Sequence, residues 1–213
     1  MSDFRALLAN AYDPSLTLPS QVLPTFSSDT RPKLAFLNRM NARKVLNEPE
    51  VRRVAEEVGF DVVVFEVTAE TPMRDIFRLL ESSHAFAGVH GAGLTHSLFL
   101  RPGSVFVQIV PHNTGWVADL CFGKLAIRLG LEYIVYEVGI HENTLEMDDF
   151  VVRVSMDPES HHPASSLMGI LTDWNRYMSQ PVKIDVVQFK RYLKRAYDKA
   201  KVFAEKERSY SQH

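Results

Sequence analysis

The chain has 213 residues, 46% of them hydrophobic and 23% charged, with a formal charge of −2. That composition suits one large globular domain, with or without appendages, and gives no electrostatic reason to expect nucleic-acid binding or membrane contact by this chain itself. The lone cysteine, Cys121, excludes an intrachain disulfide framework, and no apolar run approaches the ~20 residues of a membrane span.

In chain order, Asp3 to Tyr12 reads as a short amphipathic helix with Phe4, Leu7, Leu8 and Ala11 on one face. The Pro-, Ser- and Thr-rich stretch from Asp13 to Pro32 reads as a connector, so residues 1–31 are an N-terminal helix and linker. Lys33 to Leu37 is a strand candidate, followed by a basic turn carrying Arg39, Arg43 and Lys44. Asn47 and Glu50 form a capping-box variant, and Val51, Val54, Ala55 and Val58 recur at helical spacing up to Gly59. The apolar run Val62-Val63-Val64-Phe65 suits a strand buried on both faces.

Pro72 opens the next helix, whose stripe is Met73, Ile76, Phe77 and Leu80. A short strand around Ala85 leads into the glycine turn Gly88 to Thr95, and Leu94 to Leu100 can form a helix. Ser104 to Val110 is an apolar strand. Ala118, Cys121, Phe122, Leu125 and Leu129 mark a helix on whose apolar stripe Cys121 belongs to the core, and Glu132 to Val138 is a strand. Strands alternating with helices predict an α/β fold, a Rossmann-like doubly wound parallel sheet with right-handed crossovers, over residues 32–180. Glu142 to Asp149 is acidic, and Ser165 to Tyr177 has the pattern of a helix. Residues 181–213 hold a helical tail capped by Asp185 with Gln188, packing back on the domain or towards a missing N-terminal domain.

The glycine turn is the chemical centre of this pattern. A strand, a glycine-rich turn and a helix start aim backbone N–H groups at one point, where the helix dipole favours an anion. It is not a dinucleotide fingerprint, since His96 stands in place of the third glycine and no acidic residue follows on the next strand. It is not an esterase oxyanion loop, since no Gly-x-Ser-x-Gly elbow exists. No His-Glu-x-x-His or Asp-x-Asp motif points to a metal, and Asp148-Asp149 reads as solvated surface. Phosphate held by backbone and cations remains. In a parallel sheet the turns bearing Arg39 and Arg43 lie on the same rim as Gly91, though a merely solvated basic loop is an equal reading. His90 fits a phosphate donor, an acid–base group or a turn-shaping side chain equally well. Glu66 ends a strand on that rim, either as a donor-binding carboxylate or as a merely solvated strand end, and Trp116 either caps its helix or lines a pocket.

The succession Arg39 to Glu50, His90-Gly91-Ala92-Gly93-Leu94-Thr95 with Phe99-Leu100 and Pro102-Gly103, then Val107 to Pro111, resembles glycosyltransferase family 61, with plant xylan arabinosyl- and xylosyltransferases among its members. The resemblance extends over roughly Met1 to Ala204. It implies the C-terminal, donor-binding half of a GT-B fold, and an inverting transfer of a pentose (xylose or arabinofuranose) from a UDP-sugar to a xylan or glycan hydroxyl. It implies that Arg39, Arg43 and the loop His90, Gly91, Ala92, Gly93, Leu94 and Thr95 bind the donor diphosphate, with Glu142 near nucleotide or sugar. No metal or other cofactor is implied. His90 is the one candidate for a catalytic group, the general base otherwise lying in a facing domain. Golgi residence with an anchor upstream is implied as well. A non-catalytic nucleotide-sugar-binding or scaffold fragment is the alternative. Two departures stand out: His96, expected to face away from the turn, and Arg101, expected to add charge near the rim.

Overall fold

A computed structural model describes residues 2–13, 31–40, 42–112, 114–142 and 179–211. Five strands, β1 (Lys33–Leu37), β2 (Asp61–Phe65), β3 (Ala85–Val89), β4 (Val105–Val110) and β5 (Glu132–Glu137), form one sheet in the order β2-β1-β3-β4-β5. Every pairing is parallel. The α/β architecture of alternating strands and helices is therefore as the periodicity predicts.

Helices cover both faces. On one face α2 (Glu48–Val58) and the long α6 (Val186–Ser211) bury Val51, Val54 and Ala55 with Phe189, Leu193, Ala196 and Ala200 against Leu34, Phe36, Val107 and Ile134. Three alanines at α6's spacing let two helices and a sheet approach closely, and burying Phe189 or Leu193 stabilises by ~2 kcal/mol each. On the other face lie α1 (Ser2–Tyr12), α3 (Met73–Glu81), a 3₁₀ helix (Ala92–Phe99) and the α4 (Gly115–Ala118)–α5 (Lys124–Arg128) unit. Asp185 caps α6 through its Oδ1, which accepts from the N–H groups of Val187 (2.9 Å) and Gln188 (3.1 Å).

Several expectations fail for identifiable reasons. β2, read as buried on both faces, is an edge strand, with Asp61 exposed and Val63 to Phe65 only half-buried. The fully buried strands are β3 and β4 in the interior. In α1 the inward residues are Leu8, Ala9 and Tyr12, while Phe4 and Leu7 face out. Arg5 sets that rotation by pairing with Glu81 (2.7 Å) and donating to the Leu100 carbonyl (2.6 Å). Cys121, expected in the core, is exposed. A π turn, Asp119–Gly123, joins α4 to α5. An i→i+5 turn advances the chain by one extra residue, so Phe122, Ala126 and Leu129 take the inward face and Cys121 leaves it. Trp116 is also exposed. The Ser165 to Tyr177 helix and the Asp148-Asp149 pair lie outside the described residues. Among the described residues, no helix is long and apolar enough to cross a membrane.

Candidate functional site

The chain runs from β1 to β2 on one side and then returns to place β3 on the other side of β1. Such a reversal opens a crevice outside the carboxyl ends of the strands, where α/β folds bind ligands. Here the crevice is a cleft of about 440 Å³, lined by Asn38, Arg39, Met40, Glu66, Thr68, Ala92, Gly93 and His96 among others.

The arginine turn is built by side-chain hydrogen bonds. Asn38, buried at the end of β1, accepts from the N–H groups of Arg39 (2.9 Å) and Val45 (3.1 Å) through one oxygen, which folds the intervening loop back on itself. Arg43 sits at φ 63, a left-handed conformation that costs a non-glycine residue ~1 kcal/mol. A distant segment holds it there. Arg43 N–H donates to the Ser179 carbonyl (3.2 Å), and Val182 pairs with the backbone of Lys44 and Leu46 (both 2.9 Å). Asn47 joins this clasp instead of forming the predicted capping box. Its amide donates to the Ile184 carbonyl (2.8 Å), and its oxygen accepts from the Ile184 N–H (2.9 Å).

The glycine turn comes up against this loop. A Cβ on Gly91, whose φ is +152°, would lie 2.5 Å from Arg43 Nη1 and 2.7 Å from Arg39 Nη1. Only a residue without a side chain lets both guanidiniums rest on this backbone. Arg43 Nη1 donates to the His90 carbonyl (3.0 Å). Arg43 Nε and Arg39 Nη1 are buried without a hydrogen-bond partner, and neither arginine has a carboxylate partner among the described residues. Burial, and then the charge of Arg39, lowers the Arg43 pKa. Two like charges with unused donors, half-withdrawn from water, are costly without an anion.

The 3₁₀ helix begins with Leu94 N–H donating to the Gly91 carbonyl (2.9 Å), so the N–H groups of Ala92 and Gly93 precede its first bond. Leu94 contributes only backbone, its side chain being fully buried, and Thr95 is exposed. His96 does not face away; it lines the cleft, with Nδ1 2.8 Å from the Gly93 carbonyl. His90 is buried, with Nδ1 2.6 Å from Gln108 Nε2, and the Tyr133 hydroxyl donates to Gln108 Oε1 (2.5 Å). Burial, then the neighbouring Arg43 charge, depresses the His90 pKa to about 4, so the ring is neutral at pH 7.

The two carboxylates separate. Glu66 is exposed on the cleft wall and makes no hydrogen bond among the described residues. Glu142 is buried and already occupied: it accepts from the Tyr136 hydroxyl (2.5 Å), the Gly139 N–H (2.5 Å) and the Asp185 N–H (2.6 Å). Arg101, expected near this rim, lies before β4 at the opposite edge of the sheet, bonded to Glu207. Sequence reasoning gave Asn38, Gln108 and Tyr133 no role at the site and turned His96 away from it. A detectable signal existed for Gln108, a lone amide in the apolar strand Val105–Val110.

The glycosyltransferase 61 family model matches residues 2–107. A xylan glycosyltransferase of Arabidopsis thaliana is 33% identical over 94% of this chain and 42% of its own length. An alpha-1,3-arabinosyltransferase of Oryza sativa subsp. japonica is 30% identical over 91% of this chain and 33% of its own. A beta-1,2-xylosyltransferase of the same species is 35% identical over 79% and 29%. The chain thus spans less than half the length of these relatives. Its glycine turn, its arginine turn and this pattern of similarity agree: the chain belongs to glycosyltransferase family 61.

Proposed function

We propose that this chain is the donor-binding half of a GT-B glycosyltransferase, holding the diphosphate of a UDP-sugar between the arginine turn and the glycine turn. The observation that carries the reading is the pair of half-buried guanidiniums seated on Gly91, each with a buried unbonded donor and neither with a carboxylate partner among the described residues. A diphosphate satisfies them together with the Ala92 and Gly93 N–H groups at the start of the 3₁₀ helix. The names of the relatives extend the reading to transfer of xylose or arabinofuranose onto a xylan or glycan hydroxyl. The reaction is a single displacement with inversion, in which attack of the acceptor oxygen on the anomeric carbon expels UDP. Negative charge then grows on the leaving phosphate, where Arg39 and Arg43 are already placed and need little reorganisation. Their charge supplies what a divalent cation supplies elsewhere, so the donor site works without metal. Glu66 faces the same cleft from β2 and is the carboxylate placed to meet a ribose or sugar hydroxyl. Lumenal residence in the Golgi belongs to the same proposal.

Isothermal titration of the chain with UDP tests it. The expected result is saturable binding that survives chelator and falls at least tenfold in the double variant Arg39→Ala with Gly93→Asp. No binding, or undiminished binding by that variant in a folded state, overturns the donor site.

A further inference from the structure

Gln108 is the only non-apolar residue of β4 and is fully buried at the centre of the sheet. A buried amide left unbonded costs about 1–3 kcal/mol, so its partners explain its presence. Both ends are used, the oxygen by Tyr133 and the nitrogen by His90. We propose that Tyr133 and Gln108 are positioning residues that fix His90 as a neutral imidazole with its proton on Nε2, a hydrogen-bond donor and not a base. This rests on the donor-site reading only for what the Nε2 proton faces.

The chain of hydrogen bonds starts at Tyr133. Its hydroxyl meets no other acceptor among the described residues, so its proton goes to Gln108 Oε1. That bond orients the amide and leaves the NH₂ group for the ring. An NH₂ group only donates, so His90 Nδ1 must accept and the ring proton must sit on Nε2. Protonating Nδ1 would set donor against donor. The surroundings agree: Arg43 lies on the His90 carbonyl, the Phe122 ring packs edge-on at 5.4 Å, and burial, then the Asp119 charge, keep the Tyr133 hydroxyl protonated by raising its pKa to about 12. Among the described residues, no carboxylate faces the ring. A ring held this way offers a phosphate oxygen one N–H and cannot take the proton of an acceptor hydroxyl through Nε2. The base for that step therefore comes from another residue.

The test is long-range ¹H–¹⁵N correlation spectroscopy of the ¹⁵N-labelled 213-residue chain, with His90→Gln identifying the His90 ring. At neutral pH the expected pattern is a bare Nδ1 and a protonated Nε2. In Tyr133→Phe the amide is free to turn its oxygen to the ring, and His90 should bind its proton about tenfold more tightly; Gln108→Leu should do the same by removing the opposing donor. A protonated Nδ1 in the unaltered chain overturns the proposal without need of any variant. So does an unchanged His90 titration in both folded variants, because a packing role predicts no change. Addition of UDP should shift the Nε2 signal. If UDP fails to bind while the tautomer is as stated, the donor site falls and the relay stands; the reverse outcome removes the relay alone.

Discussion

Each edge of the sheet carries arginine wholly or half withdrawn from water and a neutral histidine, and the two edges treat them differently. At the amino edge Arg101 is bonded through Nη1 to Glu207 and through Nη2 to the Ser83 carbonyl (3.2 Å), with its guanidinium 5.1 Å over the Phe203 ring. One unbonded Nε remains. At the carboxyl edge Arg39 and Arg43 lie on Gly91 with no carboxylate bonded to either among the described residues. The hollow at the amino edge, about 660 Å³ and lined by Pro102, Phe203 and Glu207, is larger than the 440 Å³ cleft. Size is thus a poor guide to the site. The informative quantity is charge that the fold itself leaves unmatched, because a protein gains nothing from an uncompensated buried cation unless something else compensates it.

The largest effect expected from this contrast is at Arg101. Arg101→Leu removes the guanidinium bonded to Glu207, a carboxylate of which only 14% of the side chain is exposed, and should cost about 3 kcal/mol in denaturant unfolding without weakening UDP binding. Next come Arg39→Leu and Arg43→Leu, which should behave in the opposite way. Each removes charge-assisted bonds to the ligand worth about 2 kcal/mol, seen as a tenfold or greater loss of UDP affinity, while unfolding midpoints hold or rise because like-charge repulsion is relieved. If Arg39→Leu proved as destabilising as Arg101→Leu, the distinction between the edges would be lost. A third pair compares carboxylates on one rim. Glu142→Gln should lower stability by about 1–2 kcal/mol, since its oxygens serve three donors, whereas Glu66→Gln should leave stability unchanged and alter only ligand affinity.

Local and non-local determinants explain what could be read from sequence. The five strands, their parallel arrangement and the cofacing of Arg39, Arg43 and Gly91 follow from periodicity and the topology of an α/β sheet, both carried by short windows. Edge or centre is decided by strand order, and the run Val62 to Phe65 looks the same in either place. Asn47 reads as a cap because its local neighbour Glu50 fits, and its amide does reach the Glu50 carboxylate (3.3 Å); its shorter bonds go to Ile184, 137 residues away. Cys121 fails for a subtler reason, since one π turn shifts the phase of an otherwise sound helical stripe. His90 was visible as a residue, but its role depends on Gln108 and Tyr133, which reach it from two other strands.

The smallest expected effect is a pH slope that sets His84 beside His90. His84, at the amino edge, accepts the Lys33 N–H at Nδ1 (3.0 Å), and its pKa falls to about 3, chiefly by burial and then by the charges of Arg101, Lys33 and Arg208; that of His90 falls to about 4. Unfolded, both bind a proton near the ordinary 6.5. Between that value and the folded ones the unfolded chain holds more protons, so their contribution is complete above pH 6.5 and declines as the solution is acidified, levelling off below about pH 3 for His84 and about pH 4 for His90. Unfolding of the unaltered chain against His84→Asn and His90→Asn should show each variant losing its share of that slope. UDP binding separates the two. Its affinity should follow pH between 5 and 7 only as the terminal phosphate of UDP itself titrates, and identically in the His84→Asn chain and the unaltered one, because His90 stays neutral throughout that interval. In His90→Asn it should be weaker by a constant factor. An affinity that rose as pH fell through 6.5, and did so only with His90 present, would mean a ring that protonates to meet the phosphate, and the carboxyl edge would then hold three cations.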